Sequence, residues 1–426
     1  MKTQLTILLL MFYTICTATN RYVKTTGNDS NNGLTWATAY LTIQKAADVV
    51  NAGDTVTVEA GNYGTSVNTY LVGIIRSGTA GNPIVFRSAT KYGAVLNGSY
   101  NATDSGWGVV FGDVDYITFE DFEIKNCGRM GVYIMPGSSN IIIKGNYIHD
   151  IGRRCSDTDY GMVGIDAWDA SNISVTKNKF ANIGRYQPSE NGCSVSTQFY
   201  KNHDHALYFD AISTIVVSYN IFYNNERGWS IHSFSDGTSS NVDIINNIFD
   251  DQNPWRTGQI LLYSDMTSVR IANNIFYNPP LAGSKEGVCI HVSGTTYTYS
   301  NVTIFKNLIY NGVALIGPEG DDGNITSGSI SGVTKSNNIE NTDPLLLNVS
   351  ANDYSLREGS PAINSGDSFG LTTDFAGNVI VGNPDIGAYE YDSDPAPPQP
   401  SGTQTYLTKK GKVVVLNGKM IFENTD

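Results

Sequence analysis

Charge is scarce in this chain. Only 16% of its 426 residues are Asp, Glu, Lys or Arg, and the acidic ones lead by 40 to 27, for a formal net charge of −13. A basic surface is therefore missing, which argues against nucleic acid as a partner. The same deficit decides less about an anionic sugar, because calcium or a local arginine cluster can neutralise uronate carboxylates on an acidic protein. Histidine and cysteine are rare, five residues each, and the cysteines lack the close pairing that a zinc site uses. Long apolar runs are missing apart from Leu5 to Ile15, which is too short to span a bilayer. With Lys2 before it and Cys16-Thr17-Ala18 after it, that run reads as a secretory signal over residues 1–19. A secreted or cell-surface protein with no membrane span is the expectation.

Glycine, by contrast, is abundant at 43 residues, and one phrase recurs along the chain. It reads NIIIKGN, NISVTKN, TIVVSYN, NVDIINN, SVRIANN, NVTIFKN and, more weakly, GVTKSNN, each ending on an asparagine: Asn146, Asn178, Asn220, Asn247, Asn274, Asn307 and Asn338. The spacing wanders between 27 and 42 residues, as in a solenoid whose coils carry unequal insertions. Within a phrase, β-branched residues such as Ile142, Val175, Val216, Ile244 and Ile271 alternate at strand period, not helix period. Asparagine tolerates left-handed backbone angles, and its amide can bond the amides above and below it. The fold class is thus all-β, a right-handed parallel β-helix with an asparagine ladder; the hand follows from the crossover preference of parallel strands.

The ends differ from the coils. A short helix is expected near Leu41 to Val50 and a strand from Thr55 to Glu59, the helix forming an N-terminal cap over open strand edges. Residues 340–391, with TDPLLL, SPAINSG and NPDIGAYEYD, read as the opposite cap, so that residues 20–391 form one β-helix domain with end caps. Residues 392–403 are a Pro/Ser-rich linker, and residues 404–426 a C-terminal β-hairpin tail turning at Asn417-Gly418. The opening phrase from Tyr22, the asparagine-marked coils and the closing SPAIN…NPDIGAYEY resemble secreted bacterial right-handed parallel β-helix proteins of the pectate-lyase-like superfamily. The resemblance implies the fold over about residues 21–391. It does not choose among the lyases, hydrolases, epimerases and inactive members of that superfamily.

A second strand precedes each asparagine phrase: VYIM, IDAW, LYFD, WSIH, LLYS, VCIH. Alternation places Val132, Ile165, Leu207, Trp229, Leu261 and Val288 in one inward column. Two outward columns follow, Tyr133, Asp166, Tyr208, Ser230, Leu262, Cys289 and Met135, Trp168, Asp210, His232, Ser264, His291. This face gathers most of the histidine. NHDHALYFD carries His203, His205, Tyr208 and Asp210 on one strand, directly after the longest insertion, Ile183 to Lys201. Insertions of this kind are expected to wall a groove, and Cys155 and Cys193, in neighbouring insertions, are candidates for a disulfide.

Two chemistries suit the face. β-Elimination on a uronic-acid polysaccharide needs a cation for the substrate carboxylate, a base and an acid. Arg227 or Arg256 could serve the first, His205 or His232 the second, Tyr208 the third; an epimerase would use nearly the same groups. Glycoside hydrolysis needs paired carboxylates, for which Asp166 and Asp210 on adjacent coils are the candidates. That pair could instead hold calcium. GIDAWDASNISV faintly resembles a polygalacturonase coil, but the adjacent double aspartate expected one coil later is absent. Trp168, Trp255 and His291 are further candidates for contact with sugar. A non-catalytic glycan-binding module stands as a third possibility, and a monomer is expected throughout.

Overall fold

The computed structural model describes residues 18–64, 69–98, 106–196, 199–250, 258–279, 281–282, 285–286, 288–292, 297–312, 314–318, 330–391, 404–408, 411–416 and 419–423. Most of the expected signal segment, the Pro/Ser-rich linker and the Asn417-Gly418 turn lie outside the described residues. No described helix is long and apolar enough to cross a membrane.

The coils are three-sided. One line of parallel strands runs through Met130–Ile134, Val163–Trp168 and His205–Asp210; the next through Ser139–Lys144, Ser171–Thr176 and Ile215–Ser218; the third through Tyr147–His149, Lys179–Ala181 and Ile221–Tyr223. Strands Ile231–Ile245 and Ile260–Ala272 pass through the first two lines without a break. Inward residues stack on their own kind from coil to coil. Phe180, Phe222, Phe249 and Phe276 lie ring on ring with centroids 4.8, 4.9 and 5.0 Å apart. Each coil alone could not bury such a face; stacking removes it from water and supplies the dominant stabilising term.

The ladder forms as the spacing predicts. Asn146 Oδ1 accepts the Phe122 N–H, and from Asn178 on each asparagine Oδ1 accepts the backbone N–H of the ladder asparagine one coil earlier; the bonds from Asn146 to Asn178, Asn178 to Asn220 and Asn220 to Asn247 are each 2.9 Å. The run continues through Asn274 and Asn307 to Asn338. Backbone strain sits one residue earlier than expected. Positive φ occurs at Gly145, Lys177, Tyr219, Asn246, Asn273, Lys306 and Asn337, and not at the ladder asparagines. The ladder residue is chosen for its amide; its predecessor makes the bend.

The amino-terminal helix is Ile43–Val49, capped by the Thr42 side chain accepting from the Lys45 N–H, and it buries Ile43, Ala46 and Ala47. The segment expected as the far cap takes a different course. Residues 346–391 lie against the ladder side of the solenoid, with Leu346, Tyr354, Phe375 and Ile386 packed on Tyr219, Ile248, Ile275 and Leu308. Asn246 Nδ2 donates to the Asp385 carbonyl at 2.9 Å, and Tyr354 donates to Asp250 at 2.8 Å. The apolar residues of this segment thus close a long flank. Strands Gln404–Thr408, Gly411–Leu416 and Lys419–Glu423 pair antiparallel in chain order.

Candidate active site

On the first line of strands the register differs from the expected columns. Leu207 stands opposite Ile231, not Trp229, and Ile231 opposite Ile260, not Leu261. His232 consequently lies beside Tyr208 and not beside Asp210, and Leu261 turns outward while Leu262 and Ser264 are buried inside. The cause is local. Trp229 lies before the strand, after Gly228 in a positive-φ turn packed against the Asp204 carbonyl, where a Cβ would not fit. The resulting outward column is Tyr133, Asp166, Tyr208, His232, Leu261, His291.

A pocket of about 540 Å³ opens over this column. Asp166, His203, His205, Tyr208 and His232 line it, as do Trp229, Phe234, Leu261 and Tyr263. Two insertions border it, Asp159, Tyr160 and Gly161 lying in one and Asn202 and His203 directly after the other. Cys155 and Cys193 form the disulfide that joins them. A fully buried ion pair pins them as well. Arg185 Nη2 lies 2.9 Å from Asp204 Oδ1 and its guanidinium also donates to the carbonyls of Thr158 and Tyr160, while Asp204 accepts the Met162 N–H at 2.9 Å. His203 Nδ1 bonds the Asp159 carbonyl at 2.8 Å.

Other expected site residues lie elsewhere. Arg227 is buried and paired with Glu190 at 2.7 Å, so it is a strut between insertion and coil and does not line the pocket. Asp210 pairs in register with Trp168, which is 49% exposed, and neither lines the pocket, although the Asp210 charge is felt by Asp166 and Tyr208. His291 is buried beyond Leu261, outside the pocket lining. Cys289 and Ser230, expected outward, are buried. Trp255 and Arg256 lie outside the described residues. The cation that does line the pocket is Arg129, stacked 4.5 Å over the Tyr160 ring, its Nε without a hydrogen-bond partner. Sequence reading missed it; its position just before the strand Met130–Ile134, in NCGRMGVYIM, was the available signal.

The electrostatics follow from burial. Asp166 is half-buried, and loss of water pushes its pKa up to about 7, Arg129 opposing the rise and Asp210 adding to it. Burial likewise raises the Tyr208 phenol, with Asp210 and Asp166 adding to the effect, so it stays protonated. His205, 2% exposed, is held well below the ordinary imidazole value by burial and by His232. His232, 8% exposed, is lowered to about 3 by burial and then by His203. Both are neutral near pH 7, and they touch: His232 Nδ1 lies 2.9 Å from His205 Nε2.

Among the described residues no three His, Cys, Asp or Glu side chains are grouped so as to hold a metal ion. Calcium takes roughly six to eight oxygen ligands. The pocket offers Asp159 and Asp166 beside a guanidinium and three imidazoles, a donor set that does not fit it.

Residues 21–192 match the family model of the Pel9A-like, right handed beta helix region. The chain is a right-handed parallel β-helix, and over that stretch it is similar to the Pel9A-like family. A crystal structure of pectate lyase Pel9A has a TM-score of 0.50 and 18% identity, over 89% of this chain and 98% of its own. A glycoside hydrolase reaches a TM-score of 0.50 at 10% identity, over 80% of this chain and 99% of its own. The uncharacterized protein YwoF of Bacillus subtilis (strain 168) is 29% identical over 139 residues, 30% of this chain and 28% of that protein. The chain thus matches well under two thirds of this curated relative's length.

Proposed function

We propose that the protein is exported and cleaves a uronic-acid-containing polysaccharide by β-elimination, with Arg129, Asp166 and Tyr208 as the reacting groups. One observation carries the reading: a guanidinium, a carboxyl with pKa about 7 and a protonated phenol line one pocket. Arg129 neutralises the uronate carboxylate, which acidifies the adjoining C–H. Ionised Asp166 removes that proton, as a group with pKa near the working pH does well. The freed electron pair becomes the new C=C bond while the C–O bond to the departing sugar breaks, and Tyr208 gives that oxygen its proton. Asp166 and Tyr208 are in register on adjacent strands, about 4.8 Å apart by strand spacing. Trp229, Phe234 and Tyr263 offer ring faces to the sugar.

Histidine fits the base less well, because burial makes His205 and His232 weak bases. The Cys155–Cys193 disulfide supports an oxidising, exported setting. Hydrolysis is the second reading, since Asp159 also lines the pocket and could pair with Asp166. Incubation with a panel of acidic and neutral polysaccharides separates the cases. Ultraviolet absorbance from an unsaturated product is the expected result. New reducing ends without that absorbance would mean hydrolysis, inversion at the uronate carbon without cleavage would mean epimerisation, and binding without turnover would mean a glycan-binding module.

A further inference from the structure

The two buried imidazoles do not have free choice of tautomer. The Trp229 backbone N–H, which can only donate, points at His205 Nδ1 at 3.2 Å. His205 Nδ1 is therefore the acceptor, and in a neutral ring the proton sits on Nε2. That nitrogen faces His232 Nδ1 at 2.9 Å, so His232 Nδ1 accepts in turn and carries its own proton on Nε2. His232 Nε2 has no hydrogen-bond partner, and His232 lines the pocket beside Tyr208, their rings edge to face with centroids 5.3 Å apart.

We infer that the Trp229 amide sets the tautomer of both rings, that His205 is a positioning residue, and that His232 presents a neutral Nε2–H as a hydrogen-bond donor for an oxygen of an acidic sugar. This rests on the lyase reading for the ligand, but not for the proton positions. The other titratable groups lining the pocket are Arg129, Asp159, Tyr160, Asp166, His203, Tyr208 and Tyr263. Burial supports the assignment, because it keeps both rings uncharged and a charged ring would carry protons on both nitrogens. The orphan Nε2–H also explains why a pocket would tolerate an unmet buried donor: a ligand oxygen satisfies it.

With five histidines in the chain, selective ¹⁵N-histidine labelling of the whole protein makes the tautomers readable by NMR. The expected spectrum shows His205 and His232 both protonated only at Nε2 from about pH 5 to about pH 8, the interval in which a free imidazole titrates. Nδ1 protonation of either ring, or titration of His232 within that interval, overturns the inference whatever the protein's activity. On whichever panel polysaccharide is turned over, His232→Gln, which keeps a donor, should lower kcat by no more than about tenfold, and His232→Met, which has none, by about a hundredfold or more. Equal losses in the two variants would refute the donor role. An unreactive panel would refute the lyase reading alone, leaving the NMR result to decide the proton positions.

Discussion

Replacing Asn220 by alanine tests the physical basis of the ladder at its most enclosed point. Asn220 Oδ1 accepts the Asn178 backbone N–H at 2.9 Å, and Asn220 Nδ2 donates to the Val175 carbonyl at 2.8 Å and to Asn247 Oδ1 at 3.0 Å. Alanine removes all of these bonds in a region closed to water, since Asn178, Asn220 and Asn247 are each 0% exposed. Asn247 Oδ1 keeps the Asn220 backbone N–H, so two groups lose their ladder bond outright, the Asn178 N–H and the Val175 carbonyl. At about 1–3 kcal/mol for each unmet buried group, the loss should be about 2–6 kcal/mol. Asn338, half-buried at the ladder's last rung, supplies the control: water can replace its bonds, and alanine there should cost about 1 kcal/mol or less. Urea denaturation followed by both fluorescence and circular dichroism measures the difference, read as a shift in midpoint at unchanged slope. Equal costs for Asn220→Ala and Asn338→Ala would refute the claim that satisfaction of buried amides, and not turn geometry, is what the ladder contributes.

Four further outcomes are expected. Asp166 has a folded pKa of about 7 against an ordinary 3.8, so between those values the unfolded chain binds fewer protons and stability falls as pH rises; Asp166→Asn should gain on the wild type across that window, and a pH-independent difference would contradict the assignment. Wild-type turnover should rise with pH through about 7 if ionised Asp166 is the base, whereas activity that fell through that value would assign Asp166 as an acid. Opening the Cys155–Cys193 disulfide by a Cys155→Ser, Cys193→Ser double variant releases a separation of 38 residues and should cost about 4 kcal/mol by the chain-entropy relation, read from the thermal midpoint. Asp204→Ala leaves the Arg185 guanidinium buried without its partner and should cost about 3–5 kcal/mol, with loss of turnover as the Thr158 to Gly161 wall loosens; a variant as stable as the wild type would show that the pair is not the pin.

The ladder, the strand period and the coil repeat were legible in the sequence because each is a local rule repeated along the chain. A residue that must bend, one that must satisfy an amide, and alternating apolar residues recur together whatever the insertions do between them. The candidate site was legible in part for the same reason: His203, His205 and Tyr208 lie within six residues on or beside one strand, and they enter the pocket together. What the sequence left open was register. Trp229 and Ile231 have the same parity, so alternation could not say which stands opposite Leu207; the turn at Gly228 against the Asp204 carbonyl decides it, and with it whether His232 meets Asp210 or Tyr208. Likewise, nothing in the composition separates Arg227 from Arg129. One is consumed by Glu190 from an insertion folded across it, and the other stands over Tyr160 at the pocket wall. The pattern of coils is a property of neighbours in the chain, whereas the site is a property of neighbours between coils, where stacking and insertions set which side chains lose water, which protons move, and which charges remain free to act.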